Sequence, residues 1–207
     1  SSSSSLSFPR PRIRHAATLL SFSETSATTT TTTSLSRKDD ADESTTKKYK
    51  MLVFGGHDGP LHPLDDFWLL SRVSKTAYEW EQITPSPDYQ RPQARWGHTL
   101  TSTQSLNTAV IFAGRNSTES FNDLWLLTTS LTQGACDNSV GRNNCKVNTT
   151  QVVSFRGSQP CSRFSHAAAS LSISSKESAS GLVAKVVIHG GFSSPFLFGV
   201  GGTFVTI

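Results

Sequence analysis

One short stretch of the chain gathers side chains that could bind a transition metal, because imidazole and carboxylate groups are common ligands of such ions. The stretch contains His57, Asp58, His62, Asp65 and Asp66. Gly59, Pro60 and Pro63 interrupt it, which is typical of a turn-rich loop. No other part of the sequence carries a matching set. We therefore predict a surface loop here, with no metal and no cofactor.

Histidine recurs at one position of a repeated motif, a pattern that could suggest general acid–base catalysis. The recurring residues are His15, His98 and His166. A residue carried by every copy of a repeat is more often architectural than catalytic, because each copy is one structural unit. A fourth histidine, His189, lies in an apolar run and is expected in the core. Nucleophile-elbow, Walker and dinucleotide-binding motifs are missing from the sequence. We predict no catalytic residues and no enzyme activity.

Three kinds of segment recur in a fixed order, which indicates a repeat architecture. An apolar run closing on a glycine pair occupies 51–56, 109–114 and 185–191. An acidic-aromatic segment follows at 65–70 and 122–127, and an Arg-x-x-His motif occupies 95–98 and 163–166. Residues 12–21 align with 163–172 without a gap. We therefore interpret residues 8–20 as a first strand rather than as part of an organelle transit peptide, despite their Ser- and Arg-rich surroundings.

This succession of glycine pair, acidic-aromatic strand, later tryptophan and Arg-x-Gly-His resembles the kelch repeat. The copies depart from the pattern where Ala113 replaces a glycine, where Ser165 replaces another, and where no tryptophan precedes Arg163. The resemblance implies an all-β fold: a kelch-type β-propeller whose four-stranded antiparallel blades cover one another. The residues expected to be structural are Gly55, Gly56, Trp68, Trp80, Arg95, Gly97, His98, Gly114, Trp125, Arg163, His166, Gly190 and Gly191. The three tryptophans are large and mostly apolar, so we expect them to pack between adjacent blades.

The repeat divides residues 8–207 into two blades and part of a third. The first blade spans 8–83, the second 93–156 and the third 161–207, where Phe204 falls near the place of the blade tryptophan. Residues 21–48 include a threonine run and few large apolar side chains, so we predict a disordered insertion within the first blade. Because the sequence starts at Ser1 and stops on a strand-like segment, we expect an incomplete propeller.

An antiparallel meander brings alternate loops to the same face, and this parity predicts where a partner would bind. The loop after each glycine pair shares a face with the loop before each Arg-x-x-His motif. The resemblance implies that kelch partners usually dock on that face. Candidate contacts are His57, Asp58, His62, Tyr89, Arg91, Arg115, Asn116 and Arg156.

The function expected from these features is a protein-interaction scaffold that binds an unidentified protein partner. One alternative is the propeller of a metal-dependent enzyme, since similar propellers occur in copper radical oxidases and in iron-dependent plant specifier proteins. Another is a secreted or luminal module that binds a glycan or a receptor. The sequence leaves both alternatives open.

The charge pattern argues against nucleic acid as the partner. The net charge is +4, but the basic residues are scattered rather than arranged in a stripe with stacking aromatics. No run is long and apolar enough to span a membrane. Cys136 and Cys145 could clip a loop, and sequons begin at Asn116 and Asn148, so the compartment stays open between cytoplasmic and secreted or luminal, with a lean to the latter.

Overall fold

The computed structural model describes residues 8–23, 47–85, 89–105, 107–132, 144–152, 159–171, 174, 185–194, 197–198 and 203–206. Regular structure in these residues is entirely β-strand, with no helix. The strands are β1 (Ala16–Ser23), β2 (Lys47–Phe54), β3 (Phe67–Arg72), β4 (Tyr78–Ile83), β5 (Thr99–Ser102), β6 (Thr108–Phe112), β7 (Leu124–Thr132), β8 (Asn144–Val152), β9 (Ala167–Leu171), β10 (Lys185–His189), β11 (Phe192–Ser194), β12 (Leu197–Phe198) and β13 (Thr203–Thr206).

Consecutive strands pair with one another to form antiparallel meanders. The first sheet has the order β1-β2-β3-β4, and the second has the order β5-β6-β7-β8. A third sheet joins β9, β10 and β13, while β11 and β12 form a separate ribbon. The predicted all-β fold with four-stranded antiparallel sheets is therefore confirmed for the first two sheets. Over the described residues, the sheets do not close into a ring.

The second sheet is apolar on both faces, and its central strand shows why. Successive side chains of a strand point to opposite faces. Ala109 and Ile111 of β6 pack into the core shared with the first sheet, whereas Val110 and Phe112 pack into the core shared with the third. All five residues of β6 are buried. The second sheet is thus sandwiched between its two neighbours.

Two hydrophobic cores hold the three sheets together. The first core is formed by Leu20, Phe22, Leu52, Phe54, Phe67, Leu69 and Ile83 of the first sheet and by Leu100, Ala109, Ile111, Trp125, Leu127 and Val147 of the second. The second core is formed by Val110, Phe112, Ala113 and Leu124 together with Val186 and Ile188 of the third sheet. Each core supplies the apolar burial that a single sheet cannot provide.

The first strands of the three sheets lie next to one another. β1 contacts β5, and β5 contacts β9. Backbone hydrogen bonds join the segments that precede these three strands to one another. The amide of Gly97 donates to the carbonyl of Arg14 at 3.0 Å, and the amide of Ser165 donates to the carbonyl of Gly97 at 2.7 Å. Side-chain atoms at the starts of these strands are consequently brought into one neighbourhood.

The end of β1 and the start of β2 differ from the bounds predicted for the insertion between them. β1 continues to Ser23 and β2 already begins at Lys47, because the two strands pair along their whole length. The predicted insertion 21–48 is therefore too long at both ends, and residues 24–46 lie outside the described part of the chain.

Other predictions about single residues also need correction. In the first two sheets, the tryptophan lies opposite the residue two before the glycine pair, as Trp68 lies opposite Val53. In the third sheet that register places Thr203, rather than Phe204, opposite Ile188. His189 was expected in the core but is exposed, since it alternates with the buried Ile188 and points to the other face.

Trp80 was expected to pack between sheets, and it is only half-buried. Its cross-strand partner is Leu70, so both lie on the face of the first sheet that is turned away from the second sheet. Leu19 lies on the same face and is 59% exposed. Trp125 belongs to the core between the first and second sheets, as expected. Trp68 is buried, but it lies two residues from Leu70 on β3 and therefore on the same face as Trp80, outside that core.

Candidate functional site

The motif arginines are buried structural donors at the point where each second strand ends. Nη1 of Arg12 donates to the carbonyl of Gly55 at 3.1 Å, that of Arg95 to Ala113 at 2.9 Å, and that of Arg163 to Gly190 at 3.3 Å. The acceptor is the first residue of the glycine pair in every copy. Each arginine therefore fastens the start of its sheet's first strand to the end of the second.

The acidic residue before each strand tryptophan completes this fastening in the first two sheets. Arg95 makes a two-pronged ion pair with Asp123 at 2.6 and 2.7 Å, and Asp123 also accepts a hydrogen bond from Nε1 of Trp125 at 2.7 Å. The first sheet repeats the arrangement with Arg12, Asp66 and Trp68.

The electrostatics of the first of these triads favour an ionised carboxylate. Burial alone would raise the pKa of Asp66, but hydrogen bonds from Arg12 and Trp68 outweigh it and hold that pKa below its usual value. Sequence reasoning found these arginine, acidic and tryptophan positions but missed that they bond to one another.

The motif histidines pack against the second glycine of each pair. A Cβ atom added at Gly114 would lie 2.7 Å from Cβ of His98, and one added at Gly191 would lie 2.8 Å from Cβ of His166. The added Cβ at Gly56 would likewise meet the Cβ of His15, at 2.9 Å. This repeated contact gives the histidines a packing role in all three sheets.

Two of these imidazoles sit in apolar surroundings. The ring of His98 packs edge-on against Phe54 and that of His166 against Phe112. Burial, and next the positive charge of Arg95, lower the pKa of His98 to about 3. Burial chiefly lowers the pKa of His166 to about 4. Both imidazoles are therefore neutral in the folded chain near neutral pH.

Acid is expected to destabilise the fold from about pH 6.5 downward. Below pH 6.5 the unfolded chain gains a proton at each of these histidines, whereas the folded chain stays neutral down to the lowered pKa values, so falling pH favours unfolding. Each histidine should contribute about 1.4 kcal/mol per pH unit. Urea-unfolding free energies measured between pH 7 and 5 test this. The slope should be shallower by about 1.4 kcal/mol per pH unit in His98→Leu, and an unchanged slope would contradict the assignment.

At the end of the sheets where β1, β5 and β9 begin, a group of side chains surrounds Trp96. We call this group the Trp96 cluster and this end of the sheets the Trp96 face. The cluster consists of Arg14, His57, Trp96, Arg115, Phe164 and Phe192.

Two guanidinium groups and two rings pack around the central indole. The central carbon of the Arg14 guanidinium lies 5.1 Å from the centre of the Trp96 ring, and that of Arg115 lies 5.0 Å from it. The ring of Phe164 meets Trp96 edge-on at 5.7 Å, and that of His57 lies 5.2 Å away. Cations near indole faces are favourable contacts.

Backbone pairing holds the cluster in place. Trp96 and Arg115 exchange amide–carbonyl hydrogen bonds of 2.9 and 3.0 Å, and Phe164 does the same with Phe192. In the first sheet the corresponding pair is Ile13 and His57, with both bonds at 3.0 Å. The cluster is thus built on three equivalent two-stranded contacts, each bringing one residue from a motif beside one from a post-glycine loop.

The predicted partner-contact residues have different environments. His57 and Arg115 belong to the Trp96 cluster. Asp58 accepts a hydrogen bond from Arg10 at 2.9 Å, and the exposed ring of His62 lies 3.7 Å from Asp58.

Among the described residues, the other predicted contacts are not part of the Trp96 cluster. The Asn116 side chain accepts hydrogen bonds from the backbone of Thr118 and Glu119 and so shapes its own loop. Tyr89 and Arg91 are exposed. Arg156 lies outside the described residues.

Sequence reasoning missed Arg14, Trp96, Phe164 and Phe192 as candidate contacts. A signal was present for two of them, because the residue after each motif arginine is large and apolar in every copy: Ile13, Trp96 and Phe164. Such residues at the start of a strand, on a face lined by loops, indicate a surface cluster. Arg14 had no comparable signal, since its role depends on a neighbouring sheet.

The sequence also offers candidate metal ligands and three cysteines. Among the described residues, no three His, Cys, Asp or Glu side chains are grouped as metal ligands would be. A helix suited to crossing a membrane is likewise not found in the part of the chain that the structure describes. Cys161 is a free, exposed thiol. Cys136 lies outside the described residues, so its predicted pairing with Cys145 stays a prediction.

Comparisons with known proteins give little further information. No protein-family model matches the chain, and no curated protein matches it. Among solved structures, the chain is similar to a chain in the cryo-EM structure of RAG in complex with one melted RSS and one unmelted RSS. The match has 15% identity and a TM-score of 0.45, and it covers 69% of this chain and 38% of that one. The present chain thus spans well under half of that chain's length.

Proposed function

We propose that the chain is part of a kelch-type β-propeller that serves as a protein-interaction scaffold and binds a protein partner on the Trp96 face. The observation that carries the proposal is a contrast between repeated and variable positions. The motif arginine, the second glycine and the histidine recur in all three copies and are used for packing. The positions that display side chains around Trp96 do not recur.

The variable positions illustrate this contrast. The residue after the glycine pair is His57 in the first copy, Arg115 in the second and Phe192 in the third. All three occupy the same place in the backbone pairing. The fold therefore does not require one side-chain type at this position, so these three side chains can differ to suit a ligand.

The rigidity of the supporting frame favours recognition on this face. Loops that carry variable residues on a rigid scaffold are where binding surfaces are usually found. Here the glycine pairs that precede the first two of these loops are bonded to the next sheet: the amide of Gly56 donates to the carbonyl of Arg95 at 2.9 Å, and that of Gly114 donates to Arg163 at 2.8 Å. Such loops lose little conformational entropy when a partner binds.

Site-specific photo-crosslinking tests the proposal. Tyr89 belongs to the segment that joins Ile83, the last residue of β4, to the second motif, and Ile83 lies opposite Phe67 at the Trp96 end of the first sheet. Tyr78 begins β4 at the opposite end of that sheet, and the two tyrosines are exposed, at 44% and 61%. Replacing either with benzoylphenylalanine preserves an aromatic ring. In cells that express the chain, position 89 is expected to give discrete protein adducts, while position 78 serves as the matched control. Equal adduct patterns at both positions, or adducts only at position 78, would contradict a Trp96-face binding site.

A further inference from the structure

The two arginines of the Trp96 cluster are held close to one indole ring although they carry the same charge. Their guanidinium carbons lie 5.1 and 5.0 Å from the centre of the Trp96 ring. The Arg115 guanidinium also lies 5.1 Å from the centre of the Phe164 ring. Like charges near one ring repel each other, and a bound anion would reduce that repulsion.

Carboxylates neutralise the neighbouring arginines but not these two. Arg10 pairs with Asp58, Arg12 with Asp66, and Arg95 with Asp123. Among the described residues, Arg14 and Arg115 have no ion pair with an acidic side chain. Arg115 donates from Nε to the carbonyl of Asn116 at 3.1 Å, and its two terminal nitrogens have no hydrogen-bond acceptor among the described residues.

The backbone conformation of Arg14 is energetically unfavourable for a residue with a side chain. Its φ is +55°, in the left-handed region that favours glycine, and the equivalent residues in the other copies are Gly97 and Ser165. The left-handed conformation costs roughly 1–2 kcal/mol for a residue that has a Cβ. The fold therefore accepts glycine at this place, and arginine is used there despite a conformational penalty. Such a penalty is often tolerated where it positions a functional group.

Apolar side chains border the two charges. Ile13 is 61% exposed and Phe192 is 40% exposed, and the Phe192 ring lies 5.6 Å from that of Phe164. A free inorganic anion would leave this apolar border in water. A peptide segment that carries a carboxylate next to an apolar side chain would satisfy both the charges and the border.

We propose that Arg14 and Arg115 form a carboxylate-binding site, and that its occupant is an acidic residue flanked by apolar residues in the segment of a protein partner. This inference rests on the proposed function and specifies the chemistry of the partner. Arg14 and Arg115 would donate charge-assisted hydrogen bonds to the carboxylate, while Ile13 and Phe192 would contact the flanking side chains.

Binding of two matched synthetic peptides tests the site. One peptide alternates glutamate with phenylalanine and leucine, and the other replaces each glutamate with glutamine. Titration calorimetry with the whole chain should show tighter binding of the glutamate peptide, and that binding should weaken with added salt. Arg14→Gly and Arg115→Gln should each weaken it by about tenfold, the value expected for a lost charge-assisted hydrogen bond.

The variants are chosen so that the fold is preserved and the control loses the same charge as the test variants. Arg14→Gly gives the backbone the residue type that Gly97 already has in the next copy, so folding should be preserved. Lys75→Gln removes one positive charge from an exposed turn at the opposite end of the first sheet and should leave the peptide affinity unchanged. An equal loss in Lys75→Gln would mean that binding is a bulk charge effect and would overturn the site.

Two further outcomes would also overturn the proposal. The first is equal affinity for the glutamate and glutamine peptides, and the second is displacement of the peptide by millimolar inorganic phosphate at constant ionic strength, which would indicate a general anion site. Failure of the site is distinguishable from failure of the scaffold function. Crosslinks from position 89 that persist in Arg14→Gly and Arg115→Gln would preserve the Trp96-face binding while removing the carboxylate assignment.

Discussion

Gly114→Ala is expected to destabilise the chain by roughly 3–5 kcal/mol, which combines overpacking with backbone strain. Gly114 has a φ of +94°, and an added Cβ would lie 2.7 Å from Cβ of His98 and 3.0 Å from the carbonyl oxygen of Trp96. Neither contact involves the flexible end of a side chain, so relief requires movement of the backbone. The measurement is the urea-unfolding free energy at pH 7, where His98 and His166 are neutral.

The neighbouring residue provides the matched control. Ala113 also has a positive φ, +55°, and its methyl group is buried in the second core. Ala113→Gly relieves strain of about 1 kcal/mol and loses burial of about 0.8 kcal/mol, so stability should stay within about 1 kcal/mol of the parent. If the two substitutions cost the same, the specific contact between the second glycine and the histidine would be refuted.

The third copy allows the same comparison with a different local environment. Nothing lies within 4 Å of a Cβ added at Gly190, whereas one added at Gly191 would lie 2.8 Å from both Cβ of His166 and the carbonyl oxygen of Phe164. Gly190→Ala should therefore show only the left-handed backbone penalty of about 1 kcal/mol. Gly191→Ala should be distinctly more destabilising.

Asp123→Asn is expected to lower the unfolding free energy by about 3–5 kcal/mol, as for other variants that leave a buried charge without its partner. The Arg95 side chain is completely buried. Besides its ion pair it donates to the carbonyls of Gln93 and Ala113, and its guanidinium lies 4.2 Å from the centre of the Phe121 ring. Asparagine has one acceptor oxygen where Asp123 has two, so it cannot keep all three hydrogen bonds that Arg95 and Trp125 donate to Asp123.

A double-mutant cycle separates this pair from its surroundings. Arg95→Met and Asp123→Leu combined should cost less than the sum of the two single changes, because the double variant leaves no uncompensated charge. Arg10→Met is the control, since it breaks the exposed ion pair with Asp58 and should leave the unfolding midpoint nearly unchanged. Strict additivity in the cycle would contradict a direct Arg95–Asp123 interaction.

The repeated motif contains residues of two kinds. The buried arginine, the second glycine and the histidine set the geometry at the end of each sheet. The residues between and beside them, such as Arg14 and Arg115, are displayed by that geometry. Substitutions in the first group should change stability, and substitutions in the second group should change binding with little effect on folding.

The sequence by itself predicted the all-β fold, the order of the strands and the equivalence of the three copies. These features depend on local patterns, because side chains alternate across a strand with a period of two and glycine marks positions of positive φ. Val53 could be recognised as the equivalent of Ile111, and Trp68 as the equivalent of Trp125, before the pairing of Val53 with Trp68 and of Ile111 with Trp125 was known.

Tertiary structure alone decided which side chains meet across sheets. Arg14 touches Trp96 because the starts of β1 and β5 lie side by side, and no local pattern records that distance. The same reason explains the errors at His189, Trp80 and Phe204. Whether an apolar face is covered, and which residue lies opposite another, depends on how whole sheets pack, whereas the alternation that forms each strand is set by its own residues.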